Sequence, residues 1–428
     1  MVLKINLDSL ASRVAVILLA VTVCGLLSYV VFSQFIIGVM GNPLRGMNRE
    51  MIATAAEYFP HSARIQARLA DREMAEIEGT DYESGVARAE AAATRAVNLS
   101  PWDYGMRLLL ASAKEMKGDR AGAEQSLLEA LRLAPNYTEV HWRLANLLVR
   151  EDKLDEAVGE FRATVASDST MLPVALDAVW AASGGEVGVA EAVAGSDPAT
   201  RLGLAQFLLK QSQAPEATRV FSSIDHKARL ASPESGAFLD ALIAAGQVEL
   251  AHSLWADLVG SGNANQSLVW NGSFESEVLK GLAQFDWVLG SSDYARVMID
   301  PGVAHTGARS LRIDFAGRDT TRLDGEVKQL MMVRPGTSYR LECYVKTEGL
   351  VTPEGPRVVV TSPASSWSAA SDPVAAGSND WRQLTVDFTA PATSPILLVA
   401  VKRIPKFSYD DPTRGTLWLD DFVIKEKL

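Results

Sequence analysis

A spacing restricts the fold of this chain most. Pro101 and Pro135 lie 34 residues apart, and each closes an apolar helical run, AAATRAVNLSP and SLLEALRLAP. The segments YGMRLLLASAKEMKGDRAGAEQSLLEALRLAP and TEVHWRLANLLVREDKLDEAVGEFRATVASD place residues of matched size at matched points. Ala111 and Ala145 fall in the first helix of each segment, Ala123 and Ala157 in the second, with Leu127 and Phe161 behind them. LGLAQFLLKQSQAPEATRVFSSI repeats the pattern with Ala205, Ala217 and Phe221, and AFLDALIAAGQVELAHSLWADL with Leu239, Ala251 and Trp255. A helical hairpin of this kind cannot bury its apolar face alone, so it stacks on the next. The expectation is an α-solenoid of about six hairpins over residues 62–260. Two units depart from the pattern. The first, near Arg64 to Leu99, has an irregular first helix, and Leu172 to Gly195 is degenerate, with Gly184-Gly185 at its turn.

These alanine and large-apolar positions resemble the tetratricopeptide repeat. The resemblance implies a concave surface that binds another protein. Trp142, Asn146 and Arg150 recur at i, i+4 and i+8 and match groove-facing positions of that family, where together they could hold a peptide. The same spacing also reads as packing, with Trp142 between hairpins and Arg150 merely solvated.

Residues Val14 to Phe32, VAVILLAVTVCGLLSYVVF, carry no charge. A helix needs about 20 apolar residues to cross a bilayer core. The run exceeds the h-region of a cleaved signal peptide, and no A-x-A site follows it. The expectation is a single-pass anchor through residues 14–32, with the apolar tail past Phe32 reaching toward the solenoid. Lys4 and Arg13 before the span nearly balance Arg45 and Arg49 after it, so flanking charge does not set the topology.

Beyond Gly260 helical periodicity gives way to alternation. Residues 1–40 are read as the anchor segment, 41–61 as a connector, 62–260 as the repeats, 261–267 as a linker and 268–428 as a β domain. Candidate strands are 295–299, 309–315, 326–333, 339–347, 357–361, 381–389, 396–403 and 416–424. Eight strands separated by turns predict a two-sheet antiparallel sandwich of jelly-roll type. Asn271-Gly272-Ser273-Phe274-Glu275, His305-Thr306-Gly307-Ala308-Arg309-Ser310-Leu311, Val333-Arg334-Pro335-Gly336-Thr337-Ser338-Tyr339, Trp381 and Leu419-Asp420-Asp421-Phe422 resemble the carbohydrate-binding-module jelly rolls with a galactose-binding-like fold. The resemblance implies a structural calcium held by an early Glu and a late Asp, here Glu275 with Asp420 or Asp421. Alternation places Asp421 on the face of Leu417, Leu419 and Val423, where a carboxylate needs either a cation or Arg, Lys or N–H partners. Contact with a glycan or a protein partner is expected from Trp367, Phe407 and Tyr409, which fall in polar loops. Trp287 and Trp381 match positions that form the fold.

With 52 acidic against 41 basic residues and a formal net charge of -11, the chain has no basic run to neutralise phosphates, which argues against nucleic acid. Its five histidines form no HExxH, and no G-x-S-x-G elbow, P-loop or dinucleotide fingerprint is present. The expectation is therefore a non-enzymatic scaffold or accessory subunit that requires no cofactor. Its N-terminus is expected in the cytoplasm and its bulk on the periplasmic or extracytoplasmic side, bound to membrane or periplasmic proteins. A role in exopolysaccharide synthesis or export is the alternative, and a carbohydrate-active hydrolase the least favoured one.

Overall fold

The structure is a computed structural model that describes residues 10–40, 47–77, 81–260, 267–278 and 281–427. Lys4, Arg45 and nearly all of the expected linker lie outside the described residues. The chain divides into two compact units, residues 1–195 and 196–428.

The first unit is helical. Helix α1 (Leu10–Met40) is followed by α2 (Arg49–Tyr58), α3 (Ala63–Ala75), α4 (Tyr82–Leu99), α5 (Tyr104–Lys117), α6 (Arg120–Leu133), α7 (Thr138–Arg150), α8 (Leu154–Ser167), α9 (Leu172–Ser183) and α10 (Val187–Ala194). Local chemistry sets the ends. The side chains of Asn48, Ser62, Asp103 and Asp119 accept N–H groups of the first turns of α2, α3, α5 and α6, which satisfies donors that the helix itself leaves open. Gly118 ends α5 at φ 82°, and Gly184 ends α9 at φ 71°. The repeat alanines do what their size requires. Ala111, Ala123, Ala145 and Ala157 are all buried, with Leu127 and Phe161 fully enclosed beside them. The irregular units still fold as hairpins, α3 with α4 and α9 with α10. Arg13–Met40 of α1 has a mean hydropathy of 2.7 and is long and apolar enough to cross a bilayer. Beyond Phe32, Ile37 and Met40 pack on Ala55, Ala56 and Ile65, so the apolar tail of α1 does reach the repeats.

The second unit opens with α11 (Pro198–Lys210), α12 (Ala214–Ser222), α13 (His226–Ala231), α14 (Glu234–Ala244) and α15 (Val248–Val259). It continues as β1 (Val288–Leu289), β2 (Ala295–Asp300), β3 (Ser310–Ala316), β4 (Leu323–Met332), β5 (Ser338–Val351), β6 (Arg357–Thr361), β7 (Ser368–Ala370), β8 (Gly377–Thr389), β9 (Ile396–Arg403) and β10 (Arg414–Glu426). Two five-stranded sheets, β1-β4-β9-β6-β7 and β2-β3-β10-β5-β8, are antiparallel throughout. All eight expected strands are present, and β1 and β7 are short additions at sheet edges. Inward residues such as Leu311, Ile313, Leu341, Cys343, Val399 and Leu417 form the core between the sheets.

The division at Gly195 has a physical cause on the side of the second unit. Trp255 of α15 donates its indole N–H to the Leu282 carbonyl at 2.6 Å and packs on Trp270 with ring centroids 5.1 Å apart. His252 meets Phe285 edge to face at 4.9 Å. The last helical hairpin is thus joined to the sandwich by an aromatic cluster, although the composition changes only after Gly260.

The Asn271–Glu275 motif ties the start of the sandwich to its last strand. Asn271 is buried and brackets Ser276, accepting its N–H at 3.0 Å and donating to its carbonyl at 2.8 Å. Phe422 donates its N–H to the Gly272 carbonyl at 2.9 Å. Any side chain at Gly272 would meet the Phe422 carbonyl oxygen at 2.1 Å. Phe274 then packs on Trp287, which is fully buried as expected, and Glu275 is delivered to the 305–309 loop.

Candidate functional site

The candidate site is the outer face of the β2-β3-β10-β5-β8 sheet. Its aromatic residues get there by phase. On β5, Leu341, Cys343 and Val345 point into the core, so Tyr344 points out. On β8, Leu384, Val386 and Phe388 point inward, which turns Trp381 outward. On β10, Leu417 and Leu419 are core and Trp418 lies between them. Trp381 therefore does not form the core. It is half-buried on the outer face, and the fold-forming expectation for it is corrected.

His305 completes the cluster from the loop before β3. Its imidazole lies on the Tyr344 ring with centroids 3.6 Å apart and planes 12° from parallel, and Trp381 meets its edge at 5.6 Å. Tyr344 is covered on that side, and the rings of His305, Tyr344 and Trp381 are each half-buried. Beside them, the Arg312 guanidinium lies 5.4 Å from the Trp418 ring, a cation–π contact. The Trp418 indole donates to Asp300 at 2.9 Å, and Arg312 also pairs with Asp314 at 2.9 Å. Burial alone would raise the pKa of Asp300. Donation from Trp418, the Gly302 N–H and Arg312 outweighs it and holds the carboxyl below its ordinary range. Lys346 pairs with Asp380 at 2.8 Å along the rim. The result is an aromatic patch framed by fixed donors and acceptors, the chemistry that grips a hydroxyl-rich ring by its apolar face and its edge.

Three carboxylates position His305, and they are the residues read as calcium ligands. Glu275 accepts the N–H groups of Ala308 and Arg309 at 2.8 and 2.9 Å. Asp420 accepts those of His305 and Thr306 at 2.7 and 3.3 Å. Asp421 takes the Thr306 hydroxyl and lies 2.7 Å from His305 Nδ1. These oxygens face N–H and O–H donors and do not assemble an oxygen cage. Among the described residues no group of three or more His, Cys, Asp or Glu could hold a metal ion. The calcium reading of Glu275, Asp420 and Asp421 does not fit this arrangement. The expected face of Asp421 is also corrected. The β10 register shifts between Asp420 and Val423, and Asp421 adopts φ 50°. The bulge resets the alternation, so Phe422 and Ile424 enter the core and Asp420 is the carboxylate that is fully buried. Burial pushes the Asp420 pKa up to about 6, against the opposing effect of the His305 N–H.

The other expected residues are placed apart. Trp367 is half-buried, packs against the core and meets Phe388 at 6.0 Å, so it is not a free loop ring. Phe407 and Tyr409 are exposed, 53% and 75%, on a loop fixed by a fully buried ion pair of Arg403 and Asp411. Asp411 also accepts the N–H of Phe407 at 2.8 Å. In the first unit, Trp142 packs edge to face on Phe161 at 5.5 Å. Asn146 donates back to the Trp142 carbonyl at 2.7 Å, and Arg150 pairs with Glu115 of α5. Trp142 thus packs within its own hairpin and not between hairpins, and Arg150 is paired with the preceding repeat and not merely solvated.

The strand order, the buried core and the outward aromatic face now stand beside the family comparison. Residues 266–406 match the carbohydrate binding domain family. The matched segment includes His305, Arg312, Tyr344 and Trp381 and stops before β10. No curated protein matches the chain. Among solved structures, the crystal structure of MamA is 14% identical over 41% of this chain and 83% of its own, with a TM-score of 0.29. The first tetratricopeptide domain of Spaghetti, bound to an HSP90 peptide, is 17% identical over 28% of this chain and 93% of its own, with a TM-score of 0.26. A carbohydrate-binding module of family 4 is 17% identical over 37% of this chain and 99% of its own, with a TM-score of 0.27. The family match thus falls on the C-terminal sandwich.

Proposed function

We propose that the chain is a non-catalytic, membrane-anchored adaptor. Its sandwich holds a polysaccharide strand on the outer face of the β2-β3-β10-β5-β8 sheet, and its helical repeats hold a protein partner. The observation that carries this reading is the His305–Tyr344–Trp381 cluster, framed by Arg312, Asp300 and Lys346, on a domain that matches a carbohydrate-binding family. Helix α1 supplies the tether, with the repeats and sandwich on the extracytoplasmic side. The carboxylates of the face support a binding role, because Asp300, Asp314, Asp420 and Asp421 are each engaged by Arg, indole, hydroxyl or N–H donors. A glycosidase instead needs an acid and a base free across a cleft.

Affinity electrophoresis of the full chain through gels containing soluble polysaccharides tests the reading. The expected result is retardation by at least one glycan, reduced on Trp381→Ala and kept on Phe407→Ala with Tyr409→Ala. Removing one stacking ring worth about 1 kcal/mol weakens binding roughly fivefold. Retention of binding by the Trp381 variant, with loss in the Phe407 and Tyr409 variant, moves the site to the loop. New reducing ends on incubation with the bound glycan refute the non-catalytic reading.

A further inference from the structure

We propose that one edge of the first compact unit, formed by the α2–α3, α4–α5 and α6–α7 turns, rests on a lipid surface. The inference depends on α1 being a membrane anchor and goes beyond it, by assigning which side of the repeats meets the bilayer.

Each of those turns displays an exposed aromatic residue. Tyr58 is 78% exposed, Trp102 84% and Tyr137 49%. Because the hairpins stack in parallel, the turns between them share one edge. The ring contact of Tyr104 with Tyr137, at 4.7 Å, places the starts of α5 and α7 side by side there. The turns within hairpins lie on the opposite edge, where the Tyr82 hydroxyl at the start of α4 donates to the Met116 carbonyl at the end of α5.

The two edges differ in chemistry. The within-hairpin turns read Lys117-Gly118-Asp119-Arg120 and Glu151-Asp152-Lys153, whereas the between-hairpin turns read Ser100-Pro101-Trp102-Asp103 and Ala134-Pro135-Asn136-Tyr137. Asp103 is the one charge in this last pair, and its carboxylate is occupied by the Gly105 N–H at 2.8 Å. Tryptophan and tyrosine with few charges suit the headgroup layer, where an apolar ring and a polar tip are both satisfied.

Helix α1 meets the repeats at this same edge. Ile37 and Met40 pack on Ala55, Ala56 and Ile65, at the end of α2 and the start of α3. About 20 residues of α1 cross the hydrocarbon core, which accounts for the stretch up to Phe32. From there to Ile37 the helix rises only about 7.5 Å. The edge carrying Tyr58 is therefore within a helix diameter of the bilayer, and continuity with α1 selects lipid as its partner.

Spin labels on the full chain test this, in vesicles of phosphatidylcholine and phosphatidylglycerol. In a Cys24→Ser background, with Cys343 buried and unreactive, labels are introduced through Trp102→Cys, Tyr137→Cys and, on the opposite edge, Arg120→Cys. The expected result is that labels at 102 and 137 are relaxed by lipid-dissolved oxygen and shielded from an aqueous nickel chelate. The label at 120 should show the reverse. If positions 102 and 137 are as open to nickel as 120 while the chain resists alkaline carbonate, the anchor stands and the edge assignment falls. Extraction by carbonate overturns both. Spin–spin broadening at 102 that grows with the protein-to-lipid ratio assigns the edge to a second copy and also overturns the proposal.

Discussion

Replacing Asp411 with Asn removes one half of an ion pair that has no access to water. Arg403 and Asp411 are both 0% exposed at their side chains. Without the carboxylate, the Arg403 guanidinium keeps the Thr321 carbonyl as a partner and remains charged in the interior. Breaking a buried pair from one side costs about 3–5 kcal/mol. Asp411→Ala should cost more, because the N–H groups of Lys406 and Phe407 also lose their acceptor, at about 1–3 kcal/mol for each orphaned donor. The assay is urea unfolding of the full chain, with near-ultraviolet circular dichroism for the sandwich and far-ultraviolet signal for the helices. The sandwich transition should move to lower urea while the helical transition of the first unit stays in place. Acidity provides a second check. Burial alone would raise the pKa of Asp411, yet the Phe407 N–H, Arg403 and the Lys406 N–H hold it below its ordinary value. Its stabilisation is complete above the unfolded value of about 3.9 and is lost as pH falls through the lower folded one. A loss below about 1 kcal/mol for Asp411→Asn, the range of an exposed pair, would refute the claim that this pair anchors the loop.

Three further outcomes follow from the sandwich. Gly272→Ala forces a methyl group against the Phe422 carbonyl oxygen and should cost about 1–3 kcal/mol by overpacking, read as a lower melting temperature of the sandwich alone; an unchanged melting curve contradicts the close approach. Asp420 has a raised folded pKa, so its contribution is fully present below about 3.9 and is lost as pH rises through about 6. Wild type should therefore lose on the order of 2–3 kcal/mol relative to Asp420→Asn across that window, and parallel urea midpoints at every pH argue against it. Chelation with EDTA should leave the melting temperature of the sandwich unchanged; a drop that calcium reverses would restore the calcium reading of Glu275, Asp420 and Asp421.

The helical repeats were legible because their signal is one of size. An alanine at a helix crossing is demanded by the distance between helix axes, so Ala111, Ala145, Ala205 and Ala251 mark hairpins even where turns are irregular. The strands were legible because their period of two survives along β3, β5 and β8. The attachment of α15 to the sandwich was not legible. It depends on Trp255 meeting Trp270 and the Leu282 carbonyl, contacts between segments that no local pattern relates. The groove triad Trp142, Asn146 and Arg150 shares one stripe, but the stripe does not record that Phe161 and Glu115 already occupy two of its members.

The outer face of the β2-β3-β10-β5-β8 sheet is hard to read from sequence for two separable physical reasons. The first is phase. Strand β10 changes face at Asp420–Asp421, and a bulge with a residue in the left-handed region leaves no trace in hydrophobic alternation except the unexpected polar pair itself. Alternation carried from Leu417 and Leu419 to Val423 crosses that bulge and points Asp421 inward, whereas Asp420 is the buried carboxylate. The second is the weight given to loops. Polar loops point to Trp367, Phe407 and Tyr409. The same alternation that located β5 already set Tyr344 opposite Leu341, Cys343 and Val345, and set Trp418 opposite Leu417 and Leu419. An aromatic residue on the polar phase of a strand has no core to fill. It must be covered, as Arg312 covers Trp418, or left partly open on the sheet face, as Trp381 is. That criterion requires only the period of the strand, and on β5, whose inward phase runs unbroken through Leu341, Cys343 and Val345, it identifies Tyr344, whereas Trp381 sits at a register shift of β8 between Asn379 and Arg382.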